Sequence, residues 1–223
     1  MDKTDYLLRL FPLYSEDLGI DLTNPPGRFK WFLASILFGA RISEKIASNT
    51  YRSFERYGLD TPERILAAGW DKLVEVLDGG GYTRYDFSTA TKLLDIMGDL
   101  KERYGSLENL YLYSTDSGDL EKKLKEFRGI GAVTARIFLR ELRGVWDVSL
   151  EVPDEIKKVA DNLNIDLDEG QGRLETALVK LNLRYCKRKR CPRCPMKGYC
   201  KLSTLQNSLA RYIPSSPDRE DVY

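Results

Sequence analysis

All four cysteines of this chain lie in one short segment near its C-terminal end, with the spacing C-x4-C-x2-C-x5-C. They are Cys186, Cys191, Cys194 and Cys200, and the 223 residues contain no histidine. Four thiolates at this spacing suit a tetrahedral sulfur-ligated site, either an iron–sulfur cluster or a structural zinc ion. The alternative is two disulfides, which need an oxidising compartment, and the first residues of the chain lack the apolar run of a secretory signal. The spacing therefore favours a metal-binding loop but does not choose between the two metals.

The cysteine segment is also strongly basic. Residues 181–201 contain no Asp or Glu, and their cations are Arg184, Lys187, Arg188, Lys189, Arg190, Arg193, Lys197 and Lys201. The chain has a net charge of +1, so removing these eight charges leaves −7 for the remainder. A near-neutral chain with one basic loop indicates a local anion-binding face, for which nucleic acid is the natural partner. The alternative is a basic run that is merely solvated.

Composition bounds the class of protein. The chain is 42% hydrophobic and 31% charged, which is typical of a soluble globular protein of one large or two small domains. No apolar stretch approaches the roughly 20 residues that span a bilayer. We expect a cytoplasmic monomer without a membrane partner.

Hydrophobic periodicity predicts helices along almost the whole chain, and hence an all-α fold. Helices are predicted over 28–40, from Ser43, from Thr61, over 70–77 and over 86–103. One short run, LYLYS at 110–114, has the composition of a strand.

The segment 117–143 predicts two helices joined by a sharp turn. Ser117 can cap the first helix, and Gly129-Ile130-Gly131 interrupts the pattern before a second helix begins. Free N–H groups at a helix start bind phosphate oxygens without selecting a base. The alternative is a plain helical hairpin buried in the core; we favour a DNA-binding hairpin.

The segment FRGIGAVTA at 127–135, followed by the four-cysteine loop, resembles the endonuclease III branch of the helix-hairpin-helix DNA glycosylase superfamily. In that branch the hairpin motif is L-x-G-Φ-G-x-K-T-A, where Φ is apolar, and cysteines spaced C-x6-C-x2-C-x5-C bind a [4Fe-4S] cluster. The resemblance covers roughly 25–203. It implies a helical barrel domain of 28–143 and an iron–sulfur domain made of 1–27 plus 144–223, with double-stranded DNA in the cleft between them.

The resemblance also assigns roles to individual residues. Gly129 and Gly131 would present backbone amides to phosphate. Independently of the resemblance, we expect Arg128, Arg28, Lys30 and the basic cysteine loop to lie near phosphate. The four cysteines would hold a [4Fe-4S] cluster in preference to zinc, although the first gap here is four residues rather than six.

The catalytic positions depart from the family pattern. Val133 stands where bifunctional members carry the lysine nucleophile, and valine cannot form the Schiff base that leads to strand cleavage. Lys122, Lys123 and Lys125 precede the turn, and we interpret them as a solvated face. The sequence therefore predicts a monofunctional glycosylase, unless another amine serves.

The family's catalytic aspartate is also displaced. Aligning IKKVADNL with the helix that follows it puts Pro153 at its position. We predict Asp154 as the carboxylate that assists water attack, with Glu151 close behind and Asp147 more distant. The alternative is that Asp154 and Glu155 are only first-turn acids favoured by the helix dipole. In that case the chain binds DNA without cutting any bond.

The base pocket is weakly marked in the sequence. Gly81-Tyr82 resembles the family loop that enters DNA where the base leaves, with Tyr82 or Arg84 as the residue that fills the gap. The family glutamine after the first long helix is missing, so no lesion is implied. We predict a base-excision-repair glycosylase, with two alternatives: a non-catalytic DNA-binding protein, and a zinc module for protein assembly.

Overall fold

The computed structural model describes residues 2–167 and 172–203, and within these ranges the chain contains helices and no β-strand. The α-helices are α1 Lys3–Leu10, α2 Tyr14–Asp17, α3 Pro25–Phe38, α4 Glu44–Arg56, α5 Pro62–Gly79, α6 Asp86–Arg103, α7 Leu107–Leu112, α8 Ser117–Glu126, α9 Ala132–Leu142, α10 Asp154–Leu163 and α11 Gly172–Leu181. A π-helical turn, Asn182–Cys186, and two 3-10 turns, Cys191–Arg193 and Lys197–Tyr199, follow. The predicted all-α fold is confirmed.

Local capping explains where several helices begin. The Ser43 hydroxyl accepts from the Ile46 amide at 3.2 Å, and the Thr61 hydroxyl accepts from the Arg64 amide at 3.3 Å. Both predicted helix starts are therefore confirmed. The predicted cap at Ser117 is wrong by one residue, because the Asp116 carboxylate accepts from the Asp119 amide at 2.9 Å.

Two further segments differ in detail from the sequence pattern. The predicted helix 70–77 is the second half of α5, which is bent at Gly69, where φ is +72° and the chain needs glycine. The strand-like run at 110–114 is not a strand: α7 covers its first residues, because Leu107 and Leu110 turn inward together at helical spacing.

The first hydrophobic core is built around α3. Trp31, Phe32 and Leu37 are fully or almost fully buried, and α3 packs against α4, α7 and α9. The rings of Phe32 and Phe138 lie 5.2 Å apart, and the Trp31 indole N–H donates to the Phe138 carbonyl at 3.0 Å. These contacts fix α9, the second helix of the hairpin, against the centre of this core.

The second core joins the two ends of the described chain. Leu7 of α1 and Leu178 of α11 have no exposed surface, and both α1 and α10 pack on α11. Met196 and Cys194, from the cysteine loop, belong to this core. Residues 14–22 and 146–150, outside the predicted 28–143 domain, contribute to the first core. The predicted domain division stays a prediction.

Buried polar contacts hold the C-terminal end of α9 to α2 and to α11. The Glu141 carboxylate of α9 accepts from the amides of Tyr14 and Ser15 at 2.8 and 2.9 Å, and burial raises the pKa of this acid. Glu175 of α11 lies 2.9 Å from Arg143, with both side chains almost completely buried. Among the described residues, no helix is long and apolar enough to cross a membrane.

Candidate nucleic-acid interface

The predicted hairpin is present: α8 and α9 are joined by a tight turn at 127–131. Gly129 has φ +99°, and the Ile130 amide donates to the Phe127 carbonyl at 3.0 Å. No side chain caps the start of α9 after Gly131, so its first amides are open to an outside acceptor. Arg128 beside the turn is 81% exposed in its side chain, with its nearest carboxylate, Asp95, at 3.5 Å.

A cleft of about 1160 Å³ lies beside this hairpin. Both cores line it, and α9 supplies Val133, Arg136, Ile137 and Arg140 from the hairpin itself. Its cationic side chains are Lys45, Arg52, Arg136, Arg140, Arg184, Lys187 and Arg188, and its carboxylates are Asp17, Glu44 and Glu155. Cations therefore outnumber carboxylates in the lining, which suits a polyanion.

Several of these charges are already neutralised within the protein. Arg184 binds Glu44 at 2.7 Å, and Asp17 binds the buried Lys180 at 2.7 Å. By contrast, the side chains of Lys45, Lys187 and Arg188 have neither an ion pair nor a hydrogen bond within the described ranges. These three side chains remain available to phosphate.

The two carboxylates predicted for catalysis do not line the cleft. The side chains of Asp154 and Glu151 are 85% and 81% exposed, and both approach Lys157, at 3.8 and 3.4 Å. Asp147 is exposed as well and does not line the cleft. Pro153 and Glu155 do line it. Sequence reasoning considered Glu155 only as a first-turn acid and not as a catalytic candidate, although it is the immediate neighbour of the residue chosen.

The predicted DNA-entering loop is only partly exposed. Tyr82 is 2% exposed and belongs to the first core, where burial raises the pKa of its hydroxyl. Arg84 is exposed, with its guanidinium 5.5 Å from the centre of the Tyr85 ring. Gly81, φ +89°, is exposed next to α4. Of the two residues predicted to fill the gap, only Arg84 presents its side chain at the surface.

The two cations expected near phosphate at the start of α3 both have partners within the protein. Arg28 is 8% exposed and donates to Glu108 and to the Leu22 and Thr23 carbonyls, all at 3.0 Å. Lys30 lies 3.4 Å from Asp60. Their role as phosphate neighbours stays a prediction.

The four cysteines form no disulfide; Cys194 belongs to the second core and Cys200 packs against it. Burial, and then the neighbouring thiols of Cys194, Cys200 and Cys191, raise the pKa of Cys186 to about 11. The thiols are thus close enough to disfavour one another's ionisation, an effect that a bound cation reverses. No group of three or more metal-binding side chains stands at ligand spacing in the described part of the chain. The donor set fits a sulfur-ligated group in its chemistry, but the thiols are not closed around one.

Neither a protein-family model nor a curated protein matches the sequence. Solved structures do match the fold. A trapped endonuclease III–DNA covalent intermediate, in an estranged-adenine complex, is 18% identical and covers 93% of this chain and 100% of its own, with a TM-score of 0.54. A non-covalent endonuclease III–DNA complex is 16% identical with the same coverage and TM-score. H. pylori 3-methyladenine DNA glycosylase bound to 1,N6-ethenoadenine is 17% identical and covers 97% and 89%, with a TM-score of 0.46.

The two endonuclease III complexes establish the class of fold. The chain has the all-α helix-hairpin-helix fold of endonuclease III, as the resemblance of FRGIGAVTA predicts.

Proposed function

We propose that this chain is a DNA glycosylase that hydrolyses the N-glycosidic bond of a damaged or mispaired base in double-stranded DNA. One observation carries the proposal: the uncapped start of α9 and the unpartnered cations Lys45, Lys187 and Arg188 lie at the same cleft. Backbone amides and mobile cations hold phosphates irrespective of sequence. The cleft gives room for a nucleotide turned out of the stack.

The product we expect is an abasic site in an intact strand. Val133 is 66% exposed and lines the cleft at the hairpin position where a lyase would carry lysine. Its side chain has no amine for a Schiff base with C1′, so water completes the reaction. One water is consumed: its oxygen bonds to C1′, and the base leaves with the bonding electrons and takes up a proton.

For the carboxylate that assists this step, the sequence nominates Asp154 and Glu151. Both side chains are exposed and approach Lys157, and neither lines the cleft. Asp154→Asn and Glu151→Gln, made separately, decide the matter, since the variant that lacks the catalyst loses orders of magnitude in base-release rate. Equal, intact rates in both variants would remove both residues from the mechanism.

We further propose that Cys186, Cys191, Cys194 and Cys200 hold a [4Fe-4S] cluster. Support comes from the convergence of the four thiols without disulfides and from the sulfur-only donor set. A cluster here would fix the basic loop against the second core, and we assign it no step in the reaction. Iron and acid-labile sulfide measured on anaerobically purified protein separate the cluster from a structural zinc ion, the alternative that goes with a protein-assembly module.

The decisive experiment is base release from a panel of duplexes that carry uracil, hypoxanthine, alkylated, oxidised or mispaired bases. Strand cleavage that appears only after alkali would support a monofunctional glycosylase and identify the lesion. Cleavage without alkali would mean that another amine acts as a lyase nucleophile, and the expectation drawn from Val133 would be wrong.

A second candidate function is DNA binding without catalysis. It is favoured by Val133 and Pro153, which occupy both family catalytic positions at the cleft without a reactive group. Duplex binding with no base loss from any member of the panel would support it over the glycosylase.

A further inference from the structure

We propose that Glu155 is the carboxylate that faces the deoxyribose in this cleft, an inference that rests on the proposed glycosylase function. Helix α10 begins at Asp154, directly after Pro153, and successive helical residues are about 100° apart around the axis. Asp154 lies outside the cleft, whereas Glu155, which is also exposed, lines it together with Pro153 and Ile156.

Glu155 is also the carboxylate in the cleft that carries no internal partner. Asp17 is bound to Lys180 and Glu44 to Arg184, each at 2.7 Å. For Glu155 the described residues supply neither an ion pair nor a hydrogen bond. An acid placed among cleft cations without binding any of them is free to act on a bound ligand.

The chemistry at the sugar calls for such a group. As the C1′–N bond breaks, its electron pair leaves with the base and positive charge develops on C1′ and the ring oxygen. A nearby carboxylate offsets this charge and accepts a proton from the attacking water, whose oxygen bonds to C1′. The departing nitrogen takes up a proton, and Glu155 returns its own proton to solvent. Val133 lines the same cleft, so an uncharged side chain and the unpaired carboxylate of Glu155 both face the site.

Two abasic-site analogues test this charge relation without knowledge of the lesion. One duplex carries a cationic pyrrolidine, which mimics the charged sugar, and the other carries a neutral tetrahydrofuran of the same shape. We expect wild-type protein to bind the pyrrolidine duplex about tenfold more tightly, the ratio that an ion pair of about 1.4 kcal/mol gives. Glu155→Gln should abolish this preference and leave tetrahydrofuran affinity unchanged.

Asp161→Asn is the matched control, because it removes one negative charge from an exposed position of the same helix that does not line the cleft. It should keep the tenfold preference. Equal binding of the two duplexes by wild type, or a preference that survives in Glu155→Gln, would overturn the inference.

Base release then distinguishes a failure of the inference from a failure of the proposed function. If wild type releases a base from some duplex of the panel, Glu155→Gln should slow that release by about a hundredfold or more. Unchanged release in this variant overturns the role of Glu155 and leaves the glycosylase intact. Absence of release in wild type overturns the glycosylase and, with it, the inference.

Discussion

At the scale of single residues, Glu175 shows how much charge this fold buries. Its carboxylate has no exposed surface and lies 2.9 Å from Arg143, in a contact that is not aligned as a hydrogen bond, and 3.8 Å from Arg136. Removing one member of a buried ion pair takes away the opposite charge that offsets the other. Without Glu175 the buried Arg143 keeps its hydrogen bond to the Leu150 carbonyl but loses the carboxylate that balances its charge.

Glu175→Ala should therefore lower the free energy of unfolding by about 3–5 kcal/mol, measured by urea denaturation. Glu121→Ala is the control, because Glu121 forms a solvent-exposed pair with Lys125 at 3.2 Å and should cost less than about 1 kcal/mol. Equal effects of the two changes would contradict a structural role for the buried pair.

Individual residues also show what the sequence could and could not reveal. Caps such as Ser43 and Thr61 were predictable, because a cap bonds an amide only three residues away. The burial of Tyr82 and the internal pairing of Arg28 depend on helices distant in sequence, so the local pattern could not reveal them. Asp154 and Glu155 are chemically alike, and only the start of α10 relative to the cleft separates them.

At the scale of elements, the two glycines of the hairpin differ in backbone conformation and in the space available for a side chain. Gly129 has φ +99°, and a side-chain carbon there would come within 2.8 Å of Lys92. Gly131 has φ −95° and nothing within 4 Å of such a carbon. Only the first position therefore requires glycine for the fold.

Gly129→Ala should destabilise the protein by about 1–3 kcal/mol, the usual cost of an unfavourable backbone conformation. Gly131→Ala should stay within about 0.5 kcal/mol of wild type. Thermal unfolding of the two variants, which carry the same added methyl group two residues apart, checks this. A larger loss at Gly131 would mean that the turn conformation is misassigned.

The cysteine loop is the element whose order depends most on the proposed cluster. Cys194 is 8% exposed and packs in the second core with Met196. Cys194→Ser should lose iron and lower the melting temperature, because metal binding energy is folding energy. Ser203→Ala, in the same segment but without a thiol, is the control and should keep its iron. Unchanged iron in Cys194→Ser would contradict the cluster assignment.

At the scale of the whole molecule, positive and negative charges nearly cancel, but they are unevenly distributed over the structure. The net charge is +1, while the cleft collects seven cationic side chains against three carboxylates. Association with DNA should therefore depend on a few phosphate contacts at the cleft and not on a general field.

The double variant Lys187→Gln/Arg188→Gln should reduce the slope of log affinity against log salt by about 2, since each phosphate contact contributes about 0.9. Lys72→Gln/Lys101→Gln changes the net charge equally, but these lysines pair with Glu75 and Glu63 and do not line the cleft. It should leave the slope unchanged. Similar slopes in the two double variants would leave the basic loop without a role in binding.

The second core has a consequence for the order in which the chain acquires its structure. Leu7 of α1 is fully buried against α11, which begins at Gly172, whereas the first core is complete by Leu150. During synthesis at about 5–20 residues per second, α1 leaves the ribosome roughly 10–30 s before α11 does. During that interval the apolar face of α1 lacks its partner helix α11, although the first core has already formed. A nascent chain stopped after Leu150 should therefore hold α1 open to proteases and chaperones.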